Sequence, residues 1–122
     1  MKHCLIIDHS PIIREVAASI LLDLGHRVEE AENDILGIAH CRIEMPDIIF
    51  VDWLMADGAV RLFLEQLDDL SRLRKPYIVV LSTINDPEAF KLAQEAGADA
   101  LLVKPFDRRE LLEIADQATV AA

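Results

Sequence analysis

Short, nearly continuous apolar runs and longer stretches with helical spacing take turns along this chain. His3 to Asp8 is an apolar run ending in an acid. Ser10-Pro11 then offers an N-cap and a first-turn proline. Ile13, Val16, Ala17, Ile20, Leu21 and Leu24 follow at helical spacing as an inward stripe, and Gly25 stops the helix. Arg27 to Ala31 alternates weakly, as an edge strand does. Asn33 or Asp34 caps a second helix with Leu36, Ala39 and Ile43 inward, and Met45-Pro46 closes it. Asp47-Ile48-Ile49-Phe50-Val51 is apolar on both faces and ends at Asp52, which marks a central strand of a parallel sheet. A loop ending at Gly58 leads into a helix with Val60, Phe63, Leu64 and Leu67 inward, which exits over Leu70 to Pro76. Tyr77 to Leu81 is a fourth strand ending at Ser82-Thr83. Asn85-Asp86-Pro87-Glu88 starts a helix with Ala89, Phe90, Ala93 and Ala96 inward, terminated by Gly97. Ala100 to Val103 is a fifth strand, cut off by Lys104-Pro105. Asp107 and Glu110 open a last helix like a capping box, with Leu111, Ile114, Ala115 and Ala118 inward.

Five strands alternating with five helices predict repeated right-handed βαβ units, hence an α/β, three-layer (βα)5 doubly wound five-stranded parallel sheet. No linker, repeat or low-complexity tract interrupts the pattern. Residues 1–122 therefore read as a single domain, with only Thr119 to Ala122 after the last helix and no output domain visible.

Composition narrows the partners. The 122 residues are 52% hydrophobic and 28% charged, enough for one core and too apolar for disorder. The net charge of -10 argues against nucleic acid and anionic membranes as direct partners, since phosphates call for clustered Lys and Arg. A basic protein surface, or a cation held among carboxylates, suits it better. Cys4 and Cys41 lack metal-type spacing and read as reduced thiols. With no signal peptide and no apolar span of membrane length, the expected location is cytoplasmic.

In a doubly wound sheet the strand C-termini share one rim, where ligands bind. That rule gathers Asp8, His9, Asp52, Ser82, Thr83 and Lys104 from distant positions. An acid nucleophile, an ammonium and a hydroxyl together suit phosphoryl chemistry. Asp52 alone would read equally well as a loop or helix cap.

The chain resembles a bacterial two-component response-regulator receiver domain of the chemotaxis-regulator type, a flavodoxin-like fold. The carriers are Leu5-Ile6-Ile7-Asp8-His9-Ser10-Pro11, Asp47 to Met55 with Asp57-Gly58, Val80-Leu81-Ser82-Thr83, Gly97-Ala98-Asp99-Ala100 and Leu102-Val103-Lys104-Pro105-Phe106. The resemblance implies that Asp52 is the phosphoacceptor for a sensor histidine kinase or phosphotransfer protein, and that Lys104, Ser82 and Thr83 meet the phosphoryl group. It makes Ser82 the switch hydroxyl and the Lys104–Pro105 bond cis. Asp8, Asp52 and the backbone carbonyl of Leu54 would hold Mg2+. A downstream protein, or a second copy in a homodimer, would dock on the face of the fourth helix, fifth strand and fifth helix. Any enzymatic activity would be limited to the domain's own phosphorylation and dephosphorylation.

Four departures from the family pattern bear on that expectation. His9 stands where a second acid ordinarily ligates Mg2+, and imidazole is a poor Mg2+ ligand. Three roles are open to it: a lost ligand that leaves a weak Mg2+ site, a protonated stand-in for the metal's charge, or a ligand for a softer divalent ion. Met55-Ala56-Asp57-Gly58 is two residues shorter than the usual loop. Leu101 takes the place of an aromatic switch residue, and Thr83 that of a small residue. These departures favour, as an alternative function, a pseudo-receiver: a docking or dimerisation module not regulated by phosphorylation. A phosphohydrolase using Asp52 is a third reading, and it lacks a second acid to activate water. His3, His26 and His40 look scattered, Trp53 reads as a half-exposed loop aromatic, and Asp68-Asp69 as a solvated helix end.

Overall fold

A computed structural model of the chain describes residues 1–54, 59–71 and 74–121. The expectations placed on Met55 to Gly58, on Arg72 and Leu73 and on Ala122 lie outside those residues. The elements are β1 (His3–Ile7), α1 (Pro11–Asp23), β2 (Arg27–Ala31), α2 (Asp34–Ile43), β3 (Ile48–Asp52), α3 (Ala59–Leu70), β4 (Tyr77–Ser82), α4 (Pro87–Glu95), β5 (Ala100–Val103) and α5 (Arg108–Ala121). All strands pair in parallel in the order β2-β1-β3-β4-β5, so the order reverses between β1 and β3. A crevice opens at such a reversal, beyond the strand C-termini. Every residue of β3 is buried, as its unbroken apolar run predicts.

Two apolar layers cover the sheet. Leu5, Ile7, Ile49, Val51 and Val80 pack under Ile38, Phe63, Leu64, Leu67 and Ala93 of α2, α3 and α4. On the opposite face Ile6, Phe50, Val79 and Leu81 pack with Ala17, Leu21, Leu111 and Ile114 of α1 and α5. Local chemistry sets the helix starts. Ser10 accepts from the Ile13 N–H at 3.3 Å and Asn33 from the Leu36 N–H at 2.9 Å. Asp107 and Glu110 exchange backbone-to-carboxylate bonds of 3.1 and 2.9 Å, the reciprocal capping box.

Two helical stripes differ from expectation. In α1, Ala18 is buried while Val16 is 41% exposed. In α2 the inward residues are Gly37, Ile38 and Cys41, and Leu36, Ala39 and Ile43 face outward. Gly37 explains the rotation: a Cβ there would lie 2.5 Å from Ile7 Cδ1, so the helix backbone sits directly on β1. That close approach turns Ile38 and Cys41 inward and leaves Leu36 and Ile43 facing out. α5 also continues to Ala121, past the Ala118 expected to end it. Among the described residues no helix is long and apolar enough to cross a membrane.

Candidate functional site

Asp8 follows β1 and Asp52 closes β3, the two central strands either side of the reversal. Backbone hydrogen bonds fix their positions: the Asp8 N–H donates to the Ala31 carbonyl, and the Trp53 N–H to that of Leu81. Both carboxylates are removed from water, at 0% and 1% exposure. Lys104 leaves β5 and reaches across the rim, with its side chain only 9% exposed. Its Nζ lies 2.6 Å from Asp8 Oδ2 and 3.4 Å from Asp52 Oδ1. The Lys104 N–H donates to the Ser82 carbonyl, which ties β5 to β4 just where the side chain departs. The Lys104–Pro105 peptide bond is cis.

Further donors complete the carboxylate shells. Asp8 Oδ1 accepts from the Ser10 N–H at 2.9 Å, and Asp52 Oδ1 from the Leu54 N–H at 3.1 Å. Arg14, which the sequence pattern did not single out, donates to the Asp8 backbone carbonyl at 2.5 Å. His9 lies over the pair, its Nδ1 2.9 Å from Asp52 Oδ2 and 3.6 Å from Asp8 Oδ1, with 74% of its side chain exposed. Two buried carboxylates against one ammonium leave an excess negative charge when His9 is neutral. Such a rim attracts a cation.

Asp8, His9 and Asp52 present ligand-type atoms within 4.8 Å of one another. Lys104 holds the buried Asp8 Oδ2 at 2.6 Å, and a carboxylate oxygen so held keeps a second lone pair for coordination. The two carboxylates fit a hard divalent ion such as Mg2+. The imidazole does not, and would suit only a softer ion.

The remaining expected site residues are less engaged. Ser82 is buried at the end of β4, and its hydroxyl donates to the Ile84 carbonyl and accepts from the Ile84 N–H, both at 3.0 Å. Thr83 is exposed. Leu101 is partly buried in a small pocket with Trp53, Val80, Ser82, Ile84 and Phe90. Trp53 packs against the core, and Leu54 is 58% exposed. Asp68 is exposed and pairs with Lys75 at 3.1 Å.

Two of the three histidines that read as scattered converge. His3 and His40 both bond to Glu29, each at 2.6 Å. Burial pushes the Glu29 carboxyl up, but the bonds from His40 and His3 outweigh it and hold the group below the usual range. His26 stands apart, accepting from the Lys2 N–H at 3.0 Å. Burial, the chain's amino terminus and Lys2 together hold its ring below the ordinary histidine value.

Comparison with known proteins fits this geometry. Residues 4–116 match the response regulator receiver domain. Protein PilH of Pseudomonas aeruginosa is 32% identical over 115 residues, covering 93% of each chain. The phosphate regulon transcriptional regulatory protein PhoB of Escherichia coli is 28% identical over 111 residues, 91% of this chain. This chain spans about half the length of PhoB, 48%. Among solved structures, the chemotaxis response regulator CheY4 of Vibrio cholerae superimposes with a TM-score of 0.87 at 27% identity, covering 97% of this chain and 98% of its own.

Proposed function

Because this chain belongs to the response regulator receiver family of two-component systems, we propose that it accepts a phosphoryl group on Asp52 from a histidine kinase or phosphotransfer protein and signals through protein contacts. One observation carries the reading: Asp52, at the C-terminal end of β3, is buried against Lys104 Nζ at 3.4 Å with Asp8 alongside. A carboxylate oxygen of Asp52 attacks the donor phosphorus, the phosphorus–nitrogen bond of the phosphohistidine breaks, and its electron pair stays on the imidazole, which takes a proton. Lys104 balances the charge on the transferred oxygens.

His9 covers Asp52 Oδ2 and must swing aside for the donor. Its exposed ring has room to do so. Receiver domains generally bind Mg2+ at this acidic site. Here Asp8, Asp52 and the Leu54 carbonyl would hold it, supplying charge neutralisation for the phosphoryl oxygens, with His9 contributing no oxygen. Ser82 must leave its bonds to Ile84 to reach the phosphoryl group. That exchange, with repacking of Leu101 against Trp53 and Phe90, is the route by which the α4–β5–α5 face would sense phosphorylation and meet a protein partner or second copy. The reading places the chain, as one receiver domain over residues 1–122, in the cytoplasm with its kinase.

Incubation with acetyl phosphate and Mg2+, followed by intact mass, tests this. Gain of one phosphoryl group by the wild type and none by Asp52→Asn is expected. No gain, from acetyl phosphate or from a phosphorylated histidine donor, would leave a docking module that phosphorylation does not regulate.

A further inference from the structure

At the opposite end of β1 from Asp8, a second group of ligand-type side chains converges. Parallel register pairs His3 with Arg27 and Leu5 with Glu29, so these four residues share the face that α2 covers. The C-terminal part of α2 brings His40 and the cap residue Glu44 down onto them. His3, Glu29 and Glu44 each present a ligand-type atom, all within 4.8 Å of one another. Glu29 is fixed between two imidazoles, accepting at 2.6 Å from His3 Nε2 and, on its other oxygen, at 2.6 Å from His40 Nδ1.

Nε2 carries the proton that Glu29 accepts, so in the neutral ring Nδ1 presents a lone pair. The side chain is only 10% exposed, and Nδ1 is buried with no hydrogen-bond partner among the described residues. It faces Glu44 Oε1 at 3.7 Å. A neutral ring's lone pair and that oxygen repel unless positive charge is near, which Arg27 supplies in part by holding the same Oε1 and a bound cation would complete. The separation is too long for a hydrogen bond, which ends near about 3.2 Å. It is close to the roughly 3.3–3.6 Å between two ligands of one tetrahedral ion with bonds of about 2.0–2.2 Å. A histidine bound through one nitrogen while donating from the other to a carboxylate is the usual support of such an ion.

We propose that His3 and Glu44 bind a borderline divalent ion of the Zn2+ class, with Glu29 accepting the His3 Nε2–H and His40 fixing Glu29 in turn. The ion would fasten the end of α2 to the start of β1. Arg27 now pairs with Glu44 Oε1, the oxygen that faces His3, and competes with an ion for it. The site therefore carries its own antagonist, and removing Arg27 strengthens it. Mg2+, which prefers oxygen, does not replace the transition ion. This proposal does not depend on phosphorylation of Asp52.

Calorimetric titration of Zn2+ into an Asp8→Asn/Asp52→Asn background isolates the site from the acidic rim. One Zn2+ per chain is expected. Glu44→Gln should weaken binding by about tenfold or more, and Arg27→Gln should tighten it. In NMR spectra, Zn2+ but not Mg2+ should move the His3 ring nitrogen resonances. Glu44 and Arg27 are both exposed, so their variants fold whatever a buried His3→Gln change does. The proposal is overturned if no Zn2+ binds in that background, if Glu44→Gln leaves the affinity unchanged, or if Mg2+ moves the His3 ring equally.

Discussion

Lys104 is the residue on which the acidic rim depends. Its ammonium touches both buried carboxylates at once. Two carboxylates at 4 Å repel by about 4 kcal/mol at an effective dielectric of 20, before screening. Lys104→Met removes the compensation and should destabilise the fold by about 3–5 kcal/mol, read from urea unfolding without divalent ions. Asp52→Asn removes the repulsion and should raise stability by about 1 kcal/mol or more under the same conditions. A fall in midpoint for Asp52→Asn would mean that the rim is not strained by its charge. His9→Asp restores an oxygen donor beside Asp8. It should tighten Mg2+ binding by about tenfold or more, followed by fluorescence of Trp53, the single tryptophan, which directly follows Asp52. Strand ends named Asp8, Asp52 and Lys104 from sequence because each directly follows an apolar run. Arg14 gave no such signal, since a helical arginine looks solvated until the fold places it under the Asp8 carbonyl. His3, Glu29 and His40 were illegible for another reason: only the register of β1 with β2 and the rotation of α2 bring them together.

The element scale shows where periodicity succeeds and where packing overrides it. α3 and α5 present the expected stripes because each has one apolar face and no glycine to let the backbone dock more closely. In α2 the larger apolar residues suggested one face, but Gly37 decides the docking by letting the backbone meet Ile7. Helix propensity alone would make Gly37→Ala stabilising by about 1 kcal/mol. A Cβ at 2.5 Å from Ile7 Cδ1 and 3.1 Å from Ile7 Cγ1, with Ile7 itself fully buried, reverses the sign. A lower melting temperature for Gly37→Ala is therefore expected, and an unchanged or higher one would show that α2 is free to move outward. The capping box was legible because both of its partners lie within one turn. Asp107→Ala should cost about 1 kcal/mol in the same assay.

Across the whole molecule, two apolar layers bury both cysteines. Burial, with a smaller effect from Asp47, pushes the Cys4 thiol up to about 12 from 9.0. Burial and then Glu29 push Cys41 up to about 11. A group raised in the folded state lends stability that is intact below its unfolded value and is lost as pH climbs towards the folded one. Stability should therefore decline from pH 9.0 towards about 12, and Cys4→Ala should flatten that decline. The overall architecture was the most legible feature, because alternation of strand and helix patterns leaves few permitted topologies. That topology puts the order reversal between β1 and β3 and so creates the rim around Asp52, the claim on which the function rests. Reduction with borohydride after exposure to acetyl phosphate and Mg2+, followed by peptide mapping, tests it most directly, since an aspartyl phosphate is converted to homoserine where it forms. The account predicts homoserine at position 52 alone. Its appearance at Asp8 or elsewhere with position 52 unmodified would contradict it.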